Sequence, residues 1–225
     1  MPERVRGTVI FDLDGTLVDS APDLADALDT LLTERGLAPI GLEHTRSLIG
    51  HGIAELVRKG LEARGNYLAP EEQALATQQF VKHYTAHLSR KSQPYPGAAE
   101  TLAALRHAGW RLVVCTNKRE ASARGLLEDL GLLQAFALVA GPDTFGVAKP
   151  DPKHLLSCLP ESNPASKPAI MIGDSEVDVA AAKAAKLPII AADWGYAKMP
   201  LAELRPDALV SSLSEVPDAV ERLIG

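Results

Sequence analysis

An apolar segment at residues 8–11 runs directly into Asp12-Leu13-Asp14-Gly15, and this junction limits the possible folds more than any other feature. An uninterrupted apolar run is typical of a strand buried on both faces of a parallel sheet. Because strand side chains repeat every two residues, Asp12 and Asp14 are expected to project to the same side. Two carboxylates this close repel each other, so either one takes up a proton or a cation lies between them. The simpler alternative is a strand-to-loop turn in which one aspartate makes a local hydrogen bond.

Composition and charge limit the function classes. The chain has 225 residues, of which 46% are hydrophobic and 23% charged, as in an ordinary globular protein. Its formal net charge is -6 and no block of like charges occurs, so neither nucleic acid nor a membrane surface is an expected partner. The two cysteines, Cys115 and Cys158, fit no metal or redox motif. With no signal-peptide pattern and no bilayer-spanning apolar run, the sequence predicts a cytoplasmic protein.

Strand and helix patterns alternate along the C-terminal part of the chain. Helical spacing at residues 98–107 precedes an apolar strand pattern at 112–115, and this order repeats to the end of the sequence. Alternating units with apolar strands indicate an α/β fold, a Rossmann-like doubly wound parallel sheet with helices on both faces. The further strand patterns lie at residues 136–139, 169–172, 188–191 and 207–210.

The segment after the first strand departs from this alternation, because residues 16–90 show helical spacing and no strand pattern. Ser20 and Asp23 resemble a capping box at the start of the first of these helices. Two prolines and a glycine within residues 94–97 stop any helix and mark the return to the alternating region. The sequence therefore predicts two domains. They are an α/β core of residues 1–15 and 93–225 and an inserted all-helical domain of residues 16–92.

Polar residues stand directly after several predicted strands, which is where ligands bind in open α/β sheets. Thr116 and Asn117 follow the strand pattern at 112–115, where a hydroxyl and free N–H groups before a helix can bind an anion. Alternatively, these two residues only cap that helix. Lys149 lies on a loop and is either a phosphate ligand or a solvated surface lysine. Together Thr116, Asn117 and Lys149 offer three interactions to the oxygens of a phosphoryl group.

Carboxylates at the strand ends supply the opposite charge. Asp174 follows a predicted strand, and with Asp12 and Asp14 it offers hard oxygen ligands that suit Mg²⁺. Zinc is disfavoured because no cysteine or histidine stands at these positions. Asp178 matches a capping box with Ser175, which explains this acid without any chemistry. A carboxylate pair beside a metal site and a phosphate site indicates phosphoryl transfer through a carboxylate nucleophile.

Four short motifs resemble, in the correct order, those of the haloacid dehalogenase superfamily. The inserted helical domain likewise resembles the helical cap of that superfamily, and the resemblance extends over essentially the whole chain. Within the superfamily, the chain is most similar to bacterial phosphoglycolate phosphatases. The motifs are Asp12-Leu13-Asp14-Gly15-Thr16, Thr116-Asn117, Lys149-Pro150 and Gly173-Asp174-Ser175-Glu176-Val177-Asp178.

The resemblance implies unlike roles for the two N-terminal acids. Asp12 would be the nucleophile that forms an aspartyl-phosphate, and its second carboxylate oxygen would bind Mg²⁺. Asp14 would protonate the leaving alcohol and then take a proton from the hydrolytic water, while its backbone carbonyl binds the metal. The dehalogenase branch lacks an acid at the position of Asp14, because halide leaves without a proton donor. Asp14 therefore favours a phosphatase.

The resemblance also implies roles for the residues at the other strand ends. Thr116 and Lys149 would hold the phosphoryl oxygens, and Lys149 would also steady Asp12. Asp174 would ligate the metal directly, and Asp178 would support the metal indirectly or through water.

The helical cap would close over this site and contact the leaving group of the substrate. Arg46, His51 and Arg58 are the candidate substrate-binding residues of the cap, since they lie close to the flexible Gly50-His51-Gly52. A basic group there would bind the carboxylate of a substrate such as 2-phosphoglycolate. The alternative is that Arg58 belongs to a solvated helix face and that His51 is an ordinary loop residue.

The sequence thus predicts a Mg²⁺-dependent phosphatase that acts, as a monomer or homodimer, on a small phosphorylated metabolite, with 2-phosphoglycolate as the leading substrate. Alternatives within the superfamily are a sugar-phosphate phosphatase, a pyrophosphatase and a phosphotransferase of the β-phosphoglucomutase type. A member of a different class, a catalytically silent regulator, would be expected to lack one of Asp12, Asp14, Lys149 or Asp174. All four are present.

Overall fold

A six-stranded sheet, parallel at every neighbouring pair, lies at the centre of the computed structural model, which describes residues 5–160 and 167–225. The rest of the predicted core segments 1–15 and 93–225 lies outside the described residues. The strands are β1 (Thr8–Phe11), β2 (Val18–Asp19), β3 (Gln93–Pro94), β4 (Arg111–Cys115), β5 (Leu138–Ala140), β6 (Ala169–Gly173), β7 (Ile189–Ala192) and β8 (Ala208–Val210). The large sheet has the order β5-β4-β1-β6-β7-β8, which confirms the predicted α/β class.

Helices cover this sheet and form the insertion after β1. The helices of the insertion are α1 (Ala21–Glu34), α2 (Leu42–Arg46), α3 (Ile53–Glu62) and α4 (Pro70–Ala86). Those that follow are α5 (Ala98–His107), α6 (Glu120–Asp129), α7 (Pro142–Phe145), α8 (Pro152–Leu156), α9 (Glu176–Ala185) and α10 (Val216–Ile224).

Both faces of the sheet are buried, and successive residues of a strand pack into different clusters. In β1, Val9 and Phe11 share a cluster with residues of α5, α6 and α10, whereas Ile10 packs with residues of α8 and α9. Burying one such aliphatic side chain stabilises a fold by about 1.5–3 kcal/mol. Burial on both faces is the reason that the strands appear in the sequence as continuous apolar runs.

The helices α1–α4 have an apolar cluster of their own. Leu28 and Leu31 of α1 pack there against Phe80 and Tyr84 of α4, and all four side chains are fully buried. Tyr196, from the loop after β7, joins this cluster from the core. The helical nature of the insertion is thus as predicted, whereas its boundaries at residues 16 and 92 stay a prediction.

The expectation that residues 16–90 contain no strand is wrong at one point. β2 pairs with β3 in an antiparallel ribbon, which the backbone N–H of Tyr95 extends by donating to the carbonyl of Leu17 at 2.9 Å. The ribbon holds the outgoing and returning chains side by side between the sheet and the helical insertion. A strand of two residues leaves too short a pattern to be recognised in the sequence.

The capping box predicted for Ser20 and Asp23 is also wrong. The Ser20 hydroxyl makes no capping bond to α1 and instead donates to the Asp14 carboxylate. The buried Asp23 carboxylate accepts from the backbone N–H groups of Lys91 and Ser92, at 2.9 and 2.7 Å, and from the Ser92 hydroxyl at 2.6 Å. Asp23 therefore ties the start of α1 to the chain that returns to the core.

Among the described residues, no helix has both the length and the apolar character needed to cross a membrane. The two cysteines are free and buried. Cys115 ends β4 and Cys158 follows α8, and both belong to the cluster on the face that α8 and α9 cover.

We predict that Asp23→Ala lowers the free energy of unfolding by about 2–4 kcal/mol, because three donors, two of them buried, lose their charged acceptor. Asp26→Ala is the matched control, since Asp26 lies one turn later and pairs with the Lys91 ammonium at an exposed site. Such a surface pair contributes about 1 kcal/mol or less. Urea denaturation measures both changes, and equal losses in the two variants would contradict the tie assigned to Asp23.

Candidate active site

The carboxyl ends of β1, β4 and β6 lie next to one another and bring three predicted site residues together. Phe11, the last residue of β1, is in register with Val114 of β4 and Ile172 of β6. Asp12 follows β1, Thr116 follows β4 and Asp174 follows β6. The sheet order reverses here, because β4 and β5 lie on one side of β1 and the later strands on the other. Such a switch point is the usual ligand site of an open α/β sheet.

Asp12, Asp174 and Asp178 form a compact group of buried carboxylates. Each offers one oxygen, and these oxygens all lie within 4.8 Å of one another. Burial raises the pKa of Asp12 to about 7, against the opposing effect of Lys149. Burial and the charges of Asp178 and Asp12 also raise the pKa of Asp174 well above its ordinary value. Like charges that crowd in a buried site in this way are stabilised by a cation.

The donor atoms of this group fit a divalent metal ion that prefers oxygen. Lys149 Nζ lies 2.9 Å from Asp12 Oδ1, but this buried oxygen accepts no hydrogen bond of good geometry from the described residues. The group contains only carboxylates, without a cysteine or histidine, as hard cations require. The Asp14 side chain is not part of the group.

Asp174 is held in place from both sides. The Thr16 hydroxyl donates to Asp174 Oδ1 at 2.7 Å, and the Tyr196 backbone N–H donates to Oδ2 at 2.7 Å. Gly15 and Gly195 pack against the same carboxylate so closely that a Cβ on either would lie 2.3 Å from Oδ2. Gly15 also has a φ of 90°, which glycine adopts without strain. Glycine is therefore required at both positions.

Lys149 is buried and paired with two carboxylates, which rules out the surface position considered for it. Its Nζ lies 2.9 Å from Asp12 Oδ1 and 2.6 Å from Asp178 Oδ1. Burial alone would lower the pKa of Lys149, but Asp12 and Asp178 raise it above its ordinary value. Asp178 Oδ2 accepts from the Ser175 N–H and hydroxyl at 3.1 and 2.6 Å, at the start of α9. Asp178 thus caps α9, as predicted, and also holds Lys149.

The sequence did not predict the partner of Asp14, which is Lys118. Lys118 Nζ lies 2.7 and 2.8 Å from the two Asp14 carboxylate oxygens, and the Ser20 hydroxyl also donates to Asp14. The Lys118 side chain is only 2% exposed. Burial would lower the pKa of Lys118, but Asp14 raises it above its ordinary value. In the sequence, Lys118 could have been identified as a site residue from its position directly after Thr116-Asn117 at a strand end.

Thr116 and Asn117 organise the loop between β4 and α6. The helix begins at Glu120 after Arg119, so neither residue is its N-cap. The buried Thr116 hydroxyl accepts from the Lys118 backbone N–H at 3.1 Å.

The Asn117 side chain connects three parts of the molecule. It accepts from the Lys149 N–H at 2.9 Å and donates to the Lys149 carbonyl at 2.9 Å. It also donates to the carbonyl of Gly50, in the helical insertion, at 3.0 Å. Asn117 therefore positions the Lys149 loop against both the sheet and the insertion.

A small cavity, partly open to solvent, lies between these groups and the helical insertion. Asp12, Asp14 and the loop that carries Lys118 line it on the side of the sheet. The insertion contributes apolar side chains, namely Leu24, Ile49, Ile53 and Leu56.

The three basic residues that the sequence predicts to bind the substrate do not line this cavity. Arg46 pairs with Asp19 at 2.7 Å, beside the β2–β3 ribbon. The Arg58 guanidinium is bound by two glutamates of its own helix, Glu55 and Glu62, each at 2.6 Å.

His51 is exposed and lines a neighbouring cavity, together with Asn117 and Lys149. Partial burial and the charge of Lys198 lower the pKa of its imidazole. His51 therefore approaches the Lys149 loop from outside the cavity above Asp12.

Comparisons with known proteins agree with this geometry. Residues 9–192 match the haloacid dehalogenase-like hydrolase family. A phosphoglycolate phosphatase of Mesorhizobium japonicum is 39% identical over 97% of each chain, and one of Rhodospirillum rubrum is 41% identical over 93% of this chain and 89% of its own. A crystal structure of a predicted phosphoglycolate phosphatase from Haemophilus somnus superposes with a TM-score of 0.90, at 27% identity, over 96% of this chain and 99% of that one.

The chain belongs to the haloacid dehalogenase-like hydrolase family. The comparisons confirm the family resemblance drawn from the four motifs, and they confirm the predicted enzyme class, a phosphatase-like hydrolase. Within the family, the chain is similar to proteins named phosphoglycolate phosphatase.

We predict that Asp174→Asn weakens the binding of Mg²⁺ or Mn²⁺ at least about tenfold, because one of the three clustered carboxylates loses its charge. Isothermal titration of the metal-free protein measures the affinity. Asp193→Asn is the control, since Asp193 lies on the same loop as Tyr196 but is exposed and accepts a hydrogen bond from the Ser211 hydroxyl. Unchanged affinity in a folded Asp174→Asn variant would show that the cluster is not the metal site.

Proposed function

We propose that the protein is a Mg²⁺-dependent phosphatase that hydrolyses 2-phosphoglycolate to glycolate and phosphate through an aspartyl-phosphate. The observation that carries the proposal is the position of Asp12. Asp12 lines the cavity, and its Oδ1 is paired with the buried Lys149 ammonium at 2.9 Å. A carboxylate held in this way is poised to attack an electrophile, and two lysines nearby favour an anionic one.

The first half of the reaction uses Asp12 and Asp14. A carboxylate oxygen of Asp12 forms a bond to phosphorus while the bond from phosphorus to the ester oxygen breaks. Asp14, which lines the same cavity and has to be protonated when the substrate is bound, donates its proton to the departing oxygen, so that glycolate leaves as an alcohol. Thr116 and Lys149 hold the non-bridging oxygens and stabilise their charge as the bonds change.

The second half returns the enzyme to its starting state. Asp14, now a carboxylate, takes a proton from a water molecule that attacks the phosphorus of the aspartyl-phosphate. The bond between Asp12 and phosphorus breaks, and inorganic phosphate leaves. Asp14 is thus the acid in one half and the base in the other.

Mg²⁺ is the proposed metal because its oxygen preference matches the clustered carboxylates. Asp12, Asp174 and the backbone carbonyl of Asp14 would hold it, and Asp178 would support the site through its contact with Lys149. When bound, Mg²⁺ would offset the negative charge of the carboxylates and of the phosphoryl group.

The helical insertion, proposed as a cap domain of residues 16–92 on a core of residues 1–15 and 93–225, would exclude water during the reaction. The β2–β3 ribbon and the bond of Asp23 to the returning chain fix where the insertion leaves and rejoins the core. The apolar lining that the insertion gives to the cavity supports water exclusion. A cytoplasmic location is part of the proposal, and the two free cysteines are consistent with it.

The proposed substrate follows from the size of the cavity and from the relatives named phosphoglycolate phosphatase. We predict a kcat/KM for 2-phosphoglycolate at least about tenfold above those for ribose 5-phosphate, glucose 1-phosphate and pyrophosphate, because a small site discriminates against larger leaving groups. Phosphate release measures all four. A higher value for a sugar phosphate or pyrophosphate would contradict the substrate, and glucose 6-phosphate formed from glucose 1-phosphate would indicate a phosphotransferase.

Asp12→Asn is the mechanistic variant within this experiment. It should lower kcat for 2-phosphoglycolate by about 1,000-fold or more while the protein stays folded, because the amide is not a nucleophile. Asp193→Asn should retain activity, since Asp193 lies outside the cavity lining. Normal turnover by Asp12→Asn would contradict the assignment of Asp12 as the nucleophile.

A further inference from the structure

Lys118 is the residue that the reaction proposed above leaves unexplained. Among the described residues that line the cavity, it carries the only positive charge. Its ammonium group contacts both oxygens of Asp14, so it lies directly beside the acid proposed to protonate the leaving oxygen. A buried lysine at this point contributes a fixed positive charge next to the leaving group.

The Lys118 ammonium has one more donor than Asp14 uses. A lysine has three N–H groups, and the structure gives two acceptors for them among the described residues, the two Asp14 oxygens. The Tyr84 ring of α4 packs at 4.9 Å from Nζ on another side, which restricts the position of the ammonium. Asp14 thus leaves one N–H of Lys118, for which the adjacent Tyr84 hydroxyl and a ligand in the cavity compete.

The apolar side chains that line the cavity would not accept a carboxylate. The helical insertion lines it with Leu24, Ile49, Ile53 and Leu56, none of which can offset the loss of hydration of an anion. Lys149 lies beside Asp12 and Asp178, on the side where it would hold the phosphoryl group rather than the leaving group.

The spacing matches a short acid. In 2-phosphoglycolate, a single methylene group separates the ester oxygen from the carboxylate carbon. Lys118 Nζ lies 2.7 Å from the Asp14 carboxylate that would face this ester oxygen, so a carboxylate one methylene away can reach the same ammonium. A longer leaving group would instead extend into the apolar wall.

We propose that Lys118 determines specificity by binding the carboxylate of the leaving group, an inference that rests on the proposed phosphatase function. It assigns the recognition of the substrate anion to the core loop after β4 rather than to the basic residues of the helical insertion. Phosphate esters of short 2-hydroxy acids are the substrate class that this subsite fits.

The test compares two substrates in two variants. Ethyl phosphate has the two-carbon skeleton of 2-phosphoglycolate but no carboxylate, so the ratio of their kcat/KM values isolates the recognition of that group. Lys118→Met removes the charge and keeps the length of the side chain. We expect this ratio to fall by about 10- to 100-fold, the usual effect of losing a hydrogen bond to a charged group. Lys118→Arg keeps the charge and should retain most of the ratio, even where both rates fall.

The controls separate the possible failures. Lys91→Met removes an ion-paired lysine from the surface and should leave the ratio unchanged. Equal losses for both esters in Lys118→Met would show that Lys118 acts only through Asp14, and an unchanged ratio would exclude any role in recognition. If Lys118→Met does not fold, the inference is tested with Lys118→Arg alone. Loss of the preference for 2-phosphoglycolate over ethyl phosphate in folded Lys118→Arg would also contradict the inference. A wild-type enzyme without preference for 2-phosphoglycolate would contradict the proposed substrate and the subsite together, without any variant.

Discussion

Negative charge is buried at the carboxyl edge of the sheet, and the surrounding side chains are arranged to offset it. Two buried lysines offset it, Lys149 between Asp12 and Asp178 and Lys118 against Asp14. Breaking a buried ion pair by removing one partner lowers the free energy of unfolding by about 3–5 kcal/mol, so replacing either lysine is expected to destabilise the fold. The two pairs also divide the acids into separate environments. Asp12 belongs to the oxygen cluster that could hold a metal, and Asp14 lies outside it.

The fold imposes this arrangement through strand order and through bonds at the junction with the insertion. β1 lies between β4 and β6, so residues far apart in the sequence follow adjacent strand ends. The β2–β3 ribbon fixes where the insertion leaves and rejoins the core. The Asn117 side chain makes hydrogen bonds both to the Lys149 loop and to Gly50 of the insertion. The Tyr196 backbone N–H donates to Asp174, while the Tyr196 side chain packs in the apolar cluster of the insertion. The position of the insertion and the geometry of the carboxylates are therefore connected by direct contacts.

The sequence predicts the sheet because parallel strands buried on both faces appear as apolar runs, and it predicts Asp12, Thr116 and Asp174 because each follows such a run. It does not show pairings between distant residues, such as Lys118 with Asp14, 104 positions apart. Local patterns can also mislead: Asp23 matches a capping box, but bonds to a segment 68 and 69 positions later. Arg58, a candidate because it lies close to a glycine-rich loop, is bound by two glutamates of its own helix, and its role in substrate binding stays a prediction.

In the proposed reaction, Asp12 becomes covalently bound to phosphorus during turnover. Rapid acid quenching of the enzyme with 2-phosphoglycolate and Mg²⁺, followed by borohydride reduction, converts a phosphorylated aspartate into homoserine, which peptide mapping can locate. We predict homoserine at position 12, and only when substrate and metal are both present. Homoserine at another position, or none at any position while the substrate is being hydrolysed, would contradict it.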